Sequence, residues 1–446
     1  MKKNIDMLNG PMWNRIPAFA LTIAATAVLS QLFNASDLAV VGNFTGSMRN
    51  IAVAAVGANS PIVSLILNLF IGISLGSNVV IASAIGCQNK EEANKAVHTS
   101  IVFSVVGGVV TAVVSELLAS PVLKLLNTPD EVFPLALLYL RIYLLGLPVI
   151  FLYNFEAAIF RSNGNTRTPL FALALSGVIN VILNLFFVIV LKMSVEGVAI
   201  ATVISNAISA AILFFKLLRE DDYIHLDLKG LAIDTRILKK IISIGLPAGI
   251  QSGVFSLANI IIQSSINSLG TVVIAASSAA LNVEIFVYYI INSFAQACTT
   301  FTSQNYGAGQ HDRCKKVYRI SMIEDAIALS IAASFVLLFG RELIAIFNSD
   351  SEVVETGYIR LVMIMASYTC NFIYEVTSGY LRGYGISLVP SVLTTLGICG
   401  VRLVWIFTVF PQSRTFRTIM EAYPLSLFVT ALLVVSYYIY KRKSLR

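Results

Sequence analysis

The sequence predicts an all-α membrane protein of twelve transmembrane helices, arranged as two repeated six-helix bundles related by an axis along the membrane normal. Three observations carry this expectation. The 446 residues are 57% hydrophobic and only 12% charged, with a mean hydropathy of +0.81, far from the roughly 25% charge of a soluble domain. Apolar runs of membrane-spanning length recur between short polar stretches, and the second half repeats landmarks of the first at a fixed distance. The runs are continuously apolar rather than alternating, which excludes a β-barrel; helices and closed barrels are the two structures that satisfy backbone polar groups in lipid.

A membrane helix needs about 20 mostly apolar residues. The first span, Ile16 to Val41, follows Lys2 and Lys3, but its apolar run is longer than a signal-peptide core and has no small-residue cleavage site, so it is expected to be retained. Ala58 to Ala82 follows, with Pro61 and a Gly72/Gly76 GxxxG pattern that permits close helix approach. Next come Val97 to Ala119, Val132 to Phe155 (with Pro148), Pro169 to Leu191, and Gly197 to Phe215. A charged stretch, KLLREDDYIHLDLKGLAIDTRILKK, interrupts the pattern. The second six are Ser243 to Ser265 (with Pro247), Ile274 to Thr299, Val317 to Phe339, Gly357 to Tyr380, Pro390 to Phe410, and Ala422 to Tyr440 (with Pro424). Each proline removes a backbone donor and is expected to bend its helix. The expected organisation is an N-terminal bundle over 1–215, a cytoplasmic linker over 216–241 and a C-terminal bundle over 242–446.

An offset of 221 residues pairs Gly86 with Gly307, Asn127 with Asn348, Glu131 with Glu352, Arg161 with Arg382, Gly164 with Gly385, and Pro169 with Pro390. Pro17 and Pro247 open the halves at an offset of 230. An even number of helices per copy makes both copies enter the membrane in the same direction. Parallel repeats of this kind mark transporters, with substrate sites where the halves meet.

Lys and Arg set the orientation. Of 31 such residues, only Arg49, Lys124, Lys192, Arg341, Arg414 and Arg417 fall on loops of one side, and Arg141, Arg360 and Arg402 fall within spans; the rest gather on the side of the two termini. Both termini are therefore expected in the cytoplasm. The same asymmetry explains the net charge of +7, so no nucleic-acid partner is implied. The five cysteines have no CxxC spacing and are expected to be packing residues. His98, His225 and His311 lie in or beside cytoplasmic segments, and no HExxH, P-loop or GxSxG occurs, so neither an enzyme nor an ATP-driven pump is suggested.

Ionisable groups inside spans are functional candidates by default. On the first span Thr22, Thr26, Ser30, Asn34 and Asp37 share one helical face that ends in a carboxylate. Asn180 and Asn184 share a face on the fifth span, and Thr202 and Asn206 on the sixth; these groups are candidates to surround Asp37. A buried carboxylate among neutral oxygens can take one proton or one sodium ion, and an inert helix-end Asp37 is the bland alternative. In the second half, Ser252, Ser256, Asn259 and Gln263 form one stripe, Glu284, Tyr288, Asn292 and Gln296 another, and Tyr368, Asn371, Glu375 and Ser378 a third. Two acids with tyrosines and amides suit a lipophilic cation. Pairing of Glu284 and Glu375 with Arg360, Arg382 or Arg402 is the structural alternative. Glu116, Glu156, Glu324 and Asp325, nearer helix ends, are expected to be interfacial.

Several strings in order resemble the multidrug and toxic compound extrusion (MATE) family of bacteria over nearly the whole chain. They are QLFNASDLAVVGNF, SAIGCQNKEEANKAV, FRSNGNTRTP, NVILNLFFV and GVAIATVIS, followed by IGLPAGIQS, TTFTSQNYGAG and YLRGYG. The resemblance is closer to the DinF-like than to the NorM-like branch. It implies twelve helices in two bundles, a central cleft, and proton- or sodium-coupled export of cationic drugs or metabolites. Asp37 falls on the helix-one acid of the DinF-like branch, Asn180 and Thr202 on its polar partners, and Tyr139 on a helix-four tyrosine. The family's fifth-helix N-x-x-x-D motif reads Asn180 to Asn184 here, without the second acid. The NorM-like acids of helices seven and ten are also missing, SGVFSLAN having no acid and Asn371 standing at the helix-ten position.

The expected function is therefore secondary active multidrug efflux, exporting organic cations against protons or sodium by alternating access. Asp37, Asn180, Asn184, Thr202 and Tyr139 are expected to couple the ion, with a candidate sodium position at Asp37. Asn34, Glu284, Tyr288, Asn292, Asn371 and Glu375 are expected to line a substrate cavity. No cofactor is expected beyond the coupling ion. The protein is expected to act as a monomer in the bacterial inner membrane. A flippase for a lipid-linked or amphipathic metabolite and a major-facilitator-like exporter are the alternatives, although the loop GCQNKEEANK lacks the Gly-x-x-x-Asp-Arg-like motif of the latter.

Overall fold

Each apolar run becomes a helix, and the polar residues between runs become caps and turns. The computed structural model describes residues 4–46, 49–220 and 223–444; Lys2 and Lys3 lie outside the described residues. In chain order the helices are α1 (Arg15–Phe44), α2 (Arg49–Gly86), α3 (Lys90–Leu125), α4 (Phe133–Leu145), α5 (Leu147–Ser162), α6 (Arg167–Leu185), α7 (Val195–Leu217), α8 (Thr235–Asn267), α9 (Thr271–Gly307), α10 (His311–Ala345), α11 (Ser351–Gly383), α12 (Leu388–Thr395), α13 (Val401–Thr408) and α14 (Phe416–Lys441). Single π-helical turns extend α6 over Phe186–Val190 and join α12 to α13 over Leu396–Gly400. No strand occurs among the described residues.

All twelve expected spans map onto this order. The fourth is the pair α4–α5, bent by 49° where Gly146 and Pro148 interrupt the helix. The eleventh is α12–α13, and ten spans are long and apolar enough to cross a membrane without the bent pair. The tenth, α11, is a helix of 33 residues whose charged residues lower its hydropathy.

Polar residues set the helix starts. Asn89 caps α3 by accepting from the Glu92 amide at 3.0 Å, and Asp350 caps α11 by accepting from Glu352 and Val353 at 2.8 and 3.4 Å.

The chain divides into two units, Met1–Ile5 with Ala25–Ile242, and Asp6–Ala24 with Ser243–Arg446. The first part of α1 thus belongs to the second unit, and the first part of α8 to the first.

In unit 1 the segment between α7 and α8 is laced onto α3. Asn94 donates to the His225 carbonyl at 2.8 Å and the Asp227 amide donates to His98 Nε2 at 3.0 Å, while Lys240, in the first turns of α8, pairs with Glu92 at 3.1 Å. In unit 2 the N-terminal segment is held by Asn305, which donates to the Met7 carbonyl at 3.1 Å, and by Arg313, which donates to the Gly10 carbonyl at 3.0 Å. Phe19 meets Phe301 edge-on at 5.6 Å.

The internal repeat is geometric as well as textual. Asn78 of α2 donates to the Ala158 carbonyl at 3.1 Å, and 221 residues on Thr299 of α9 donates to the Gly379 carbonyl at 2.9 Å. Gly164 and Gly385 both adopt left-handed backbone, with φ of 78° and 80°. Leu117 and Leu338, another equivalent pair, are each 75% exposed and lie on outward apolar stripes that continue through Val110 and Val114 on α3 and Ile331 and Phe335 on α10. Such stripes suit lipid contact.

Three local expectations are corrected. Glu156 and Asp325 are fully buried within unit 1 and unit 2 respectively, not interfacial. Glu324 is buried too, whereas Glu116 is half-exposed and paired with Arg141 at 2.9 Å. Distance from a helix end misleads here because these helices run 35 or 36 residues, well beyond what the hydrocarbon core requires, or, for α5, end inside the bundle.

Candidate functional site

Unit 1 gathers the expected ion-coupling residues. Asp37 lies late in α1, and one turn before it the Phe33 ring fills the space that a side chain at Gly177 of α6 would occupy: a Cβ there would collide with the ring. This contact sets Asp37 opposite the asparagine face of α6. Asp37 is 8% exposed, Asn180 4% and Asn184 fully buried. Asn184 Nδ2 donates to Asp37 Oδ1 at 2.5 Å and to Asn180 Oδ1 at 3.1 Å. Asn180 adds a further side-chain hydrogen bond to Asp37. From α7, Thr202 Oγ1 bonds Asp37 Oδ2 at 3.1 Å and the Val198 carbonyl at 2.9 Å.

Three helices therefore converge on one carboxylate, and each of its oxygens accepts from a neutral donor. Asn184 Oδ1 is left buried without a hydrogen-bond partner among the described residues, an acceptor available to a donor or a cation. Tyr139 of α4 is buried and stacks on Tyr143 with ring centroids 6.1 Å apart; Asp37 is among the charges acting on both phenols. Asn206 instead donates to the Thr202 carbonyl at 2.8 Å. Asn34 is exposed on α1. Sequence reasoning missed Tyr143, although its four-residue spacing from Tyr139 signals a shared face. It also missed the π turn that begins two residues after Asn184, a feature frequent at functional sites.

In unit 2 the second group of candidates separates into two environments. Arg360 holds Glu284 with two hydrogen bonds of 2.6 and 2.9 Å and also donates to Ser277 at 2.7 Å, all of these groups being buried. Arg360 and Arg402 both lie over the Tyr423 ring, at 5.7 and 4.1 Å from its centroid. The structural alternative thus describes Glu284. Glu375 has no ion pair within 4 Å among the described residues; its electrostatic neighbours are Arg382, further along α11, and the adjacent Tyr374. Tyr288 hydrogen-bonds Asn292, which in turn accepts from Gln296 at 2.7 Å. Asn371 is 2% exposed with its Oδ1 unpartnered. Among the described residues no cluster of three His, Cys, Asp or Glu side chains suited to a metal ion occurs, and all five cysteines are free.

Comparisons with known proteins bear on the family and the fold. The MatE family description matches residues 22–186 and 247–408. The chain is 27% identical over 444 residues to the probable multidrug resistance protein YoeA of Bacillus subtilis, covering 97% of this chain and 95% of that protein. It is 25% identical over 390 residues to the probable multidrug resistance protein NorM of Thermotoga maritima, covering 86% and 82%. A solved outward-facing structure of a multidrug resistance MATE family transporter of the MOP superfamily shares the fold, with a TM-score of 0.89 at 22% identity over 100% of this chain and 99% of that one. Matched in both halves by one family description, the chain belongs to the MatE family of multidrug and toxic compound extrusion transporters.

Proposed function

We propose that this transporter exports lipophilic organic cations in exchange for an inward-moving proton or sodium ion, and that the ion binds at Asp37. The observation that carries this reading is the convergence of Asn184, Asn180 and Thr202, from two further helices, on a single buried carboxylate. An intramembrane acid ringed by neutral groups changes net charge when an ion binds, and that change is what can bias an alternating-access equilibrium. Glu375, with Tyr288, Asn292 and Asn371 on the same two helices, is the acidic, aromatic and amide-bearing group that fits an organic cation. Glu284 is set aside because Arg360 neutralises it. The relatives named as multidrug resistance proteins support the substrate class, and the Lys and Arg asymmetry supports a bacterial inner-membrane location with both termini in the cytoplasm.

The test is ethidium transport in energised vesicles carrying wild type or Asp37→Asn, driven in separate runs by a pH gradient and by a sodium gradient alone. Loss of gradient-driven transport in the variant is expected, and the gradient that drives the wild type names the ion. Unchanged transport in Asp37→Asn overturns the assignment.

A further inference from the structure

Outside the Asp37 cluster, three buried acids have both carboxylate oxygens without a hydrogen-bond partner among the described residues: Glu156, Asp325 and, slightly less buried at 8% exposed, Asp325's neighbour Glu324. Glu156 of α5 and Asp325 of α10 are each 0% exposed. Neither carboxylate has a hydrogen-bond partner for either oxygen among the described residues. A carboxylate buried without donors or a counter-charge costs many kcal/mol when ionised, and the neutral acid avoids that cost.

The repeat relates their positions. In unit 1 Glu156 belongs to the junction of α2, α3 and α5, helices that pack on one another, together with Ser77, Ser100 and Ser104. The 221-residue offset carries these four onto Thr377, Cys298, Ser321 and Asp325 at the junction of α11, α9 and α10 in unit 2. All eight residues are 0% exposed. The register is pinned in unit 1 by the Asn78 bond to Ala158 and by Phe103 against Phe155 at 5.8 Å. In unit 2 it is pinned by the Thr299 bond to Gly379 and by the 3.0 Å bond between Tyr318 and Thr377. Each junction therefore holds one acid and three small hydroxyl or thiol groups, but the acid sits on the last helix in unit 1 and on the middle helix in unit 2. Ser77 and Ser100 also carry hydroxyls without a hydrogen-bond partner among the described residues. A packing accident explains one buried acid; it does not explain one acid at the same junction in each repeat.

We propose that Glu156 and Asp325 are proton-binding sites at repeat-equivalent helix junctions, one inside each unit and separate from Asp37. Few other charges face them. In unit 1, α2 has Arg49 as its only titratable residue, at its far end, and α7 has Glu196 and Lys216 at its two ends. Arg167 opens α6, and His98 of α3 is engaged with the Asn94 carbonyl and the Asp227 backbone. Tyr153 and Arg161 share α5 with Glu156. In unit 2, α11 brings Glu375, whose charge acts on Asp325, and Arg382; α9 brings Cys298. Glu324 and Tyr318 share α10, the former about 100° around the helix.

The test is infrared difference spectroscopy of the full-length protein in nanodiscs, comparing acid and alkaline pH in the carboxylic-acid C=O region, where acids free of hydrogen bonds absorb apart from solvated ones. In a Glu324→Gln background, which removes the third buried acid without partners, two such bands are expected to appear on acidification. Glu156→Gln should remove one and Asp325→Asn the other, while Asp37→Asn leaves both, so this proposal and the Asp37 reading fail independently. Relocation tests the repeat logic: Ser104→Asp with Glu156→Thr, and Asp325→Ser with Thr377→Glu, should each restore the lost band in protein with wild-type thermal stability. Bands that persist at alkaline pH, bands that respond to sodium at constant pH, or spectra that neither single substitution changes overturn the proposal.

Discussion

Asn184 donates to Asp37 Oδ1 at 2.5 Å, so the residue at the position where the sequence resemblance leads one to expect a second acid is a hydrogen-bond donor to the first. The amide also spends its other hydrogen on Asn180, which fixes its orientation and turns its own oxygen away from Asp37. Restoring the acid with Asn184→Asp replaces a donor by a second carboxylate at hydrogen-bond distance. Two unit charges about 4 Å apart repel by roughly 4 kcal/mol at an effective dielectric of about 20. Asn184→Asp is therefore expected to lower the thermal midpoint at alkaline pH, with recovery on acidification or on adding sodium. A midpoint equal to wild type at alkaline pH without sodium would show that position 184 does not face Asp37.

Much of this arrangement is legible in the sequence because it follows from one helical period. Asp37, Asn180, Asn184 and Thr202 were separable from their lipid-facing neighbours by spacing alone, and the twelve spans by continuous apolar length. What the sequence does not reveal is which partner a buried group takes. Glu284 and Glu375 have the same spacing signals, yet only Glu284 meets an arginine, since Arg360 is one helix away and reaches it through tertiary packing. The exchange of α1 and α8 segments between the two units is likewise set by packing rather than by composition. The burial of Glu156 is legible in principle: the 221-residue offset aligns it with Thr377, inside the expected tenth span (Gly357 to Tyr380), whereas Glu156 itself falls just past the expected end of the fourth (Phe155).

The Glu284–Arg360 pair leads to a second expectation. Removing one partner of a buried ion pair leaves an uncompensated charge and costs about 3–5 kcal/mol, whereas replacing both with neutral groups is often close to neutral. Glu284→Gln and Arg360→Met should each lower the yield of folded protein and the thermal midpoint, and the double variant should regain most of the loss. Organic-cation affinity, measured by dye binding in detergent, should be unchanged in the double variant and reduced by Glu375→Gln. Additive losses in the double variant would mean that the two residues act separately.

Gly164 and Gly385 share a left-handed backbone but not their surroundings. A Cβ at Gly164 collides with the Ile5 carbonyl oxygen, whereas at Gly385 the nearest atom is Ile244 Cδ1 at 3.7 Å. Gly385→Ala should thus cost only the conformational term, about 1–2 kcal/mol. Gly164→Ala should cost more, because it also displaces Ile5, whose amide donates to the Gly164 carbonyl at 3.0 Å. Thermal unfolding of the two purified variants ranks them, and equal losses would show that Ile5 yields without cost.

Thr202 has one hydroxyl hydrogen and two acceptors in range, Asp37 Oδ2 at 3.1 Å and the Val198 carbonyl at 2.9 Å. When Asp37 is charged the hydrogen is best placed on the carboxylate, and when an ion neutralises Asp37 the helix carbonyl can take it back without backbone movement. A hydrogen bond to a charged group contributes about 1.5–3 kcal/mol, which corresponds to roughly a tenfold or larger change in an equilibrium constant. Thr202→Val keeps the shape of the side chain and removes the donor, so gradient-driven ethidium efflux should fall about tenfold at limiting ion concentration and recover partly when the ion is raised. Thr202→Ser keeps the donor and should transport nearly as wild type. If Val and Ser variants are equally impaired, the methyl group and not the hydroxyl is what position 202 supplies, and Asp37 is held by the two asparagines alone.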